Sequence, residues 1–394
     1  MVTTAVVAAW TAVQVSAVTS PLEIPFRVVE NAIIIDAEVN GHKVATVFDT
    51  GFSGAFALTE SIDFGKPSGT IGVRDFVGTR ATSVYDVKKV KFGAVELAPK
   101  NMQILAQDGF EGSWSYGTHI DGLMGFDVVA PYVCEINVQD RKIVLHPSTE
   151  DITKRVPDNK RTFLLRVLPL STRHISMATK TADGQTLVMA LDTGNAGYAT
   201  THTDSLARVG LWTEGKKGKW SFPSYISSGA VETFAVEVKD AKVFGIPVAK
   251  SVWDVINLPS SGADSDGTIG FQFLKNFNIT IDMKRRAVWM ENYTGKFAED
   301  EVATTGITAF SDRKGNSMRV VRVLSESPAQ QAGVRVGDVI VAIDGEVIGN
   351  VGMRRVEQML KGAAGSTVKV QVSRSGSLQT FEMKRALLVN PLDR

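Results

Sequence analysis

Val44-Ala45-Thr46-Val47-Phe48-Asp49-Thr50-Gly51 and Leu187-Val188-Met189-Ala190-Leu191-Asp192-Thr193-Gly194 share one local design, an apolar strand-like run that stops at a carboxylate and a glycine turn. Asp121-Gly122-Leu123-Met124-Gly125-Phe126 and Asp266-Gly267-Thr268-Ile269-Gly270-Phe271 form a second matched pair. Gly125 follows Asp49 by 76 residues, and Gly270 follows Asp192 by 78. Four anchors in register make an internal duplication, the sign of two similar structural units. A lone Asp-Thr-Gly would read as a turn, with Asp capping the backbone and Gly supplying positive φ. Two copies so spaced point instead to paired carboxylates.

Carboxylates held close together cannot both ionise cheaply, so they share a proton and one site then holds an acid and a base. Such a pair serves general acid–base chemistry, and its titration belongs to the pair rather than to Asp49 or Asp192 alone. Asp121 and Asp266, each followed by glycine, are expected to be turn residues beneath the two loops.

These motifs resemble those of aspartic peptidases of the pepsin and retropepsin kind, over residues 23 to 295. The resemblance implies a mainly β chain of two homologous retropepsin-like β-barrel lobes in a pepsin-like bilobal arrangement. It implies Asp49 and Asp192 as the catalytic dyad of an aspartic-type endopeptidase, activating a water to hydrolyse peptide bonds. Thr50 and Thr193 would cross-link the loops, and Gly51 and Gly194 would let backbone approach the carboxylates. A flap is expected in Gly69 to Tyr85, where Gly69, Gly72 and Gly78 allow a bend and Phe76 sits at the tip. The family commonly has Ser, Thr or Ala after each triplet, whereas Phe52 and Asn195 stand here. Phe52 should add desolvation and Asn195 an amide hydrogen bond to its carboxylate, making the dyad asymmetric.

The chain of 394 residues, 44% of them apolar, is long enough for two or three domains. A net charge of +1 and the lack of a Lys/Arg run give no footprint for nucleic acid or an anionic membrane. Cys134, the only cysteine, precludes an intramolecular disulfide. His42, His119, His146, His174 and His202 show no metal spacing, so neither metal nor cofactor is expected. Ala5 to Val15 followed by Val15-Ser16-Ala17 reads as an export signal, without the usual preceding Lys or Arg, and is too short to span a membrane. The expected location is periplasmic or extracellular.

Beyond residue 290 the texture changes to a polar, acidic linker and then to Ser325-Glu326-Ser327-Pro328-Ala329-Gln330-Gln331-Ala332-Gly333 and Val336-Gly337-Asp338-Val339-Ile340-Val341-Ala342-Ile343-Asp344-Gly345. This resembles a bacterial PDZ domain. Pro328 suits a helix start, Gly333 a helix C-cap and Asp344-Gly345 a hairpin turn. The resemblance places the peptide-binding loop at Thr305-Gly306-Ile307-Thr308, where backbone amides of such domains receive extended chain. The expected division is a signal at 1–20, lobes at 21–150 and 151–295, a linker at 296–302 and an α+β PDZ domain at 303–388.

The leading expectation is an exported, monomeric bacterial aspartic endopeptidase whose PDZ domain recognises or gates polypeptide substrates or peptide C-termini. The alternative is a non-catalytic or latent peptide-binding protein built on the same parts.

Overall fold

The Asn40-Gly41 turn, with φ of 50° and 89°, joins the strands Ala32–Val39 and His42–Asp49 in the hairpin that ends at the first carboxylate. Two successive positive φ values match the right-handed twist of the flanking strands, and Asn-Gly adopts them with little strain. Side chains of Ala32–Val39 alternate between two apolar clusters, Ile33 and Ile35 in the main core and Ala32 and Ile34 with Val47, Tyr116 and Ile120 on the opposite face. Period-two alternation with both faces covered is why this strand reads as an almost unbroken apolar run.

The computed structural model describes residues 20–74, 79–97, 101–107, 115–170, 174–226, 229–260, 265–298, 303–311, 317–349 and 351–393. The protein is mainly β; among these residues the α-helices are short, at Thr203–Arg208, Phe271–Leu274, Pro328–Ala332 and Met353–Leu360. Thr79–Asp86 and Val90–Phe92 are separate strands.

The sequence duplication reappears as duplicated pairing. Gly122–Gly125 lies parallel to His42–Asp49 and antiparallel to Phe56–Thr59, which in turn lies parallel to Gln103–Gln107. In the second half Gly267–Ile269 lies parallel to Thr186–Leu191 and antiparallel to Ala199–His202, itself parallel to Ile246–Ile256. Asp121 and Asp266 fasten these parallel pairs: Asp121 Oδ2 accepts the Ala45 N–H at 2.8 Å and Asp266 Oδ2 the Val188 N–H at 2.7 Å. A six-stranded sheet joins the halves, with Val133–Asn137 from the first pairing Phe277–Asp282 from the second.

The C-terminal sheet runs Ile307–Ser311, Met318–Val323, Val339–Ile343, Thr367–Arg374, Ser377–Lys384, with its own apolar cluster under the Met353–Leu360 helix. Ser327 caps the Pro328–Ala332 helix through the Gln330 N–H, and Gly333 ends it at φ 92°. Asp344 and Gly345, at φ 49° and 87°, turn Val339–Ile343 into Glu346–Val347.

This unit is seated on the rest of the chain. Arg322 spans both oxygens of Glu232 at 2.8 and 2.5 Å, and the Trp220 indole donates to the Ser325 carbonyl at 3.0 Å. Backbone at Gly117 and Gly352 packs so closely that a Cβ on Gly352 would lie 2.3 Å from the Gly117 nitrogen. After the last strand the chain returns to the second half, where Asn390 bridges beside Val236.

Candidate functional site

Asp49 ends the His42–Asp49 strand and Asp192 follows Thr186–Leu191, so each carboxyl leaves a strand anchored on both sides by its sheet. Their side chains hydrogen-bond each other, and both are partly exposed at the base of the meeting loops. Asp49 Oδ1 accepts the Gly51 and Phe52 N–H groups at 2.8 and 3.0 Å. Asp192 Oδ1 accepts those of Gly194 and Asn195 at 2.9 and 3.1 Å. Close approach also explains the glycines. A Cβ on Gly51 would stand 2.6 Å from Asp192 Cγ, and one on Gly194 2.3 Å from Asp49 Cγ.

Thr50 and Thr193 lie behind this pair, buried to 1% and 0% exposure. Thr50 Oγ1 donates to the Leu191 carbonyl at 2.8 Å while Thr193 Oγ1 donates to that of Phe48 at 2.6 Å. Each hydroxyl also accepts the other residue's N–H, at 3.0 and 3.1 Å. Four buried hydrogen bonds thus set the separation of the loops, leaving the carboxyls little freedom to part.

Burial, reinforced by the facing Asp192 carboxyl, pushes the Asp49 carboxyl well above its usual range. Burial raises Asp192 too, opposed by its hydrogen bonds to Asp49 and to backbone N–H groups. The pair therefore keeps a proton at pH values where free carboxyls have lost theirs.

Asn195 departs from its expected role. Its side-chain amide donates to the Thr200 and Thr268 hydroxyls at 2.9 and 2.8 Å, and its oxygen accepts the Gly197 N–H, so only its backbone reaches Asp192. Phe52 folds over Gly54 and packs beside Ala57, Val84 and Leu105. The hairpin expected as a flap pairs Gly69–Arg74 with Thr79–Asp86, whereas its tip residue Phe76 lies outside the described residues, as does the apolar Ala5–Val15 stretch.

Thr305, Gly306, Ile307 and Thr308 lie well away from the carboxyls in the chain, at the entry to the C-terminal sheet. Gly306, at φ 83°, turns into Ile307–Ser311, and Thr305 is buried with its hydroxyl accepting the Ile307 N–H at 3.3 Å. Ile307–Ser311 ends the strand order of its sheet, with the Met353–Leu360 helix packed along it.

No group of His, Cys, Asp and Glu able to hold a metal occurs among the described residues. Cys134 is buried, with its thiol raised by burial. Sequence reasoning missed Asp254, whose Oδ2 would lie 3.4 Å from a Cβ on Gly197, close behind the Asp192 loop. Its distance of 62 residues from Asp192 carries no local signal of that proximity.

The PDZ domain family matches residues 267–384. The chain contains a PDZ domain; Gly267–Ile269 and the strands to Asn292, within that span, are nevertheless paired in the preceding sheets. A probable CtpA-like serine protease of Staphylococcus saprophyticus is 28% identical over 23% of this chain and 19% of its own length. The carboxy-terminal processing protease CtpB of Bacillus subtilis is 28% identical over 25% of this chain and 22% of its own. The chain thus matches about a fifth of the length of these relatives. The crystal structure of an aspartic proteinase from Irpex lacteus aligns with 70% of this chain and 98% of that one, at 12% identity and a TM-score of 0.42.

The curated relatives correct the enzyme type. They are named as serine and carboxy-terminal processing proteases, against the aspartic-type endopeptidase, the aspartyl protease label and the dyad-activated water expected above. What stands is a PDZ-containing chain with kinship, over a quarter of its length or less, to processing proteases. The expectation rested on two short motifs, and short motifs specify loop geometry more directly than reaction type. No helix among the described residues is long and apolar enough to cross a membrane.

Proposed function

We propose that this protein binds and processes polypeptide, with a PDZ unit that engages extended chain and with Asp49 and Asp192 as polar groups that contact it. One observation carries the reading: the reciprocal Thr50–Thr193 bonding holds two partly exposed carboxyls in hydrogen-bond contact. A group in the acid form donates while its ionised neighbour accepts, so the pair serves two polar atoms of a bound amide at once. The naming of its relatives as processing proteases supports polypeptide as the ligand class.

The proposed organisation is two quasi-equivalent lobes of the retropepsin-like kind, 21–150 and 151–295, a linker at 296–302 and the PDZ unit at 303–388. Peptide would add as a strand along Ile307–Ser311 beside the Met353–Leu360 helix, with the Thr305–Thr308 turn at one end. The export reading of Ala5–Val15 would place this activity outside the cytoplasm.

The test is binding and cleavage of an unfolded protein by the full chain from acid to neutral pH, beside Asp49→Asn and Asp192→Asn and with a fluorophosphonate that labels reactive serines. Binding or cleavage of the unfolded protein that weakens in both variants supports the pair as its contact, and the reagent reports whether a serine carries the cleavage. Binding and cleavage retained in either variant would move the contact to other residues.

A further inference from the structure

Because the two halves share one pairing scheme, their positions can be matched around the carboxyls. Leu123 pairs Ala57 and Leu105 pairs Ala57 in the first half; Thr268 pairs Thr200 and Thr200 pairs Asp254 in the second. Phe52 and Asn195 likewise occupy matched places, each the third residue after its aspartate. The matched sets differ in character. Phe52, Ala57, Leu105 and Leu123 form an apolar patch together with Val84. Asn195 donates to the hydroxyls of both Thr200 and Thr268, and Asp254 stands beside them against Gly197.

Asp254 is partly exposed, and among the described residues its carboxyl has neither a hydrogen bond nor an ion pair. From the PDZ side it is faced by Lys361 and Glu357, themselves paired at 2.5 Å. A partly exposed carboxyl beside Asn195, Thr200 and Thr268 is placed to accept a charged donor from a bound ligand.

We propose that the site reads polypeptide asymmetrically, taking an apolar side chain against Phe52 and Leu105 and a lysine or arginine side chain against Asp254. The inference rests on the polypeptide-processing reading above and adds a specificity determinant to it. Glu357 of the Met353–Leu360 helix and Lys361 just beyond its end act electrostatically on Asp254. Burial raises the Asp254 carboxyl to about 6, so the pocket carries its full charge only above that pH.

Internally quenched peptides varied to Lys, Leu or Glu on either side of one bond test this with the full chain. The expected result is a preference of about tenfold in kcat/KM for Lys over Glu on one side only, the scale of a charged hydrogen bond. Asp254→Asn should erase that preference, Lys361→Met should increase it, and it should fade below about pH 6 as Asp254 takes up its proton. Equal use of Lys and Glu by the parent, or a preference that persists in Asp254→Asn, would overturn the proposal; the Lys361→Met arm decides it if Asp254→Asn fails to fold. Anisotropy binding of the same peptides to the full chain separates the two levels. Charge preference in binding, with no cleavage by that chain, keeps the pocket and refutes the processing reading.

Discussion

Thr50 and Thr193 each use one hydroxyl twice, donating across to the carbonyl of Leu191 or Phe48 and accepting the other's N–H. Thr50→Val keeps the shape but leaves the Leu191 carbonyl and the Thr193 N–H buried without a partner. The expected loss is about 2–4 kcal/mol, from two unsatisfied buried groups. Thr50→Ser, which retains the hydroxyl, should lose less than about 1.5 kcal/mol. Urea unfolding of both variants checks this, and equal losses would deny the hydroxyl its role.

Asp49 should cost stability at neutral pH. Its folded-state carboxyl is raised, chiefly by burial, so the folded chain holds the proton more tightly than the unfolded one. The associated stability is fully present below the ordinary carboxylate range and is lost as pH rises through the folded value. Asp49→Asn is therefore expected to be more stable than the parent near pH 7, by about 1 kcal/mol, and to lack that fall with pH. Thermal unfolding at pH 4 and pH 7 gives the comparison.

His146 and Glu135 set a stability window elsewhere. His146 Nε2 lies 2.8 Å from Glu135 and its Nδ1 3.2 Å from Glu150. The bond to Glu135 raises His146, whose contribution is present below its ordinary 6.5 and lost as pH climbs through the folded value. The same bond lowers Glu135, whose contribution is present above its ordinary 4.5 and lost as pH falls through its folded value. His146→Gln should cost about 1 kcal/mol near pH 5.5 and little at pH 9. A constant cost across that range would assign His146 a packing role instead.

Asn390, 2% exposed, fastens the C-terminal segment to the second half. Its Oδ1 accepts the Lys219 and Trp220 N–H groups at 2.5 and 3.2 Å, and its amide donates to the Trp220 and Ala235 carbonyls at 3.3 and 3.2 Å. Asn390→Ala should destabilise the chain by about 2–3 kcal/mol. Hydrogen exchange should then quicken in Ser221–Ile226 before it does in the six-stranded sheet.

Much of the site was legible because the duplication is written in short segments. Asp49, Thr50, Gly51 and their counterparts needed only strand-then-turn chemistry to be located. Asp121 and Asp266 followed from spacing, and the structure places them on the Ala45 and Val188 amides. The role expected for Asn195 failed because a side chain with several donors and acceptors goes wherever partners converge. Thr200 and Thr268 reach it only through strands paired across the second sheet.

By itself the sequence determined the local geometry: carboxylates at strand ends, glycines where backbone crowds a carboxyl, the caps and turns of the PDZ unit, and the repetition of one unit. These depend on φ, ψ and neighbours a few residues away. Tertiary structure alone decided which groups from distant segments share a small, poorly hydrated volume. It put Asp254 close behind the Asp192 loop, within the electrostatic reach of Lys361 and Glu357, and packed Phe52 with Ala57, Val84 and Leu105 beside the other loop. Long-range register is set by the burial of whole sheets, so no short window of sequence contains it.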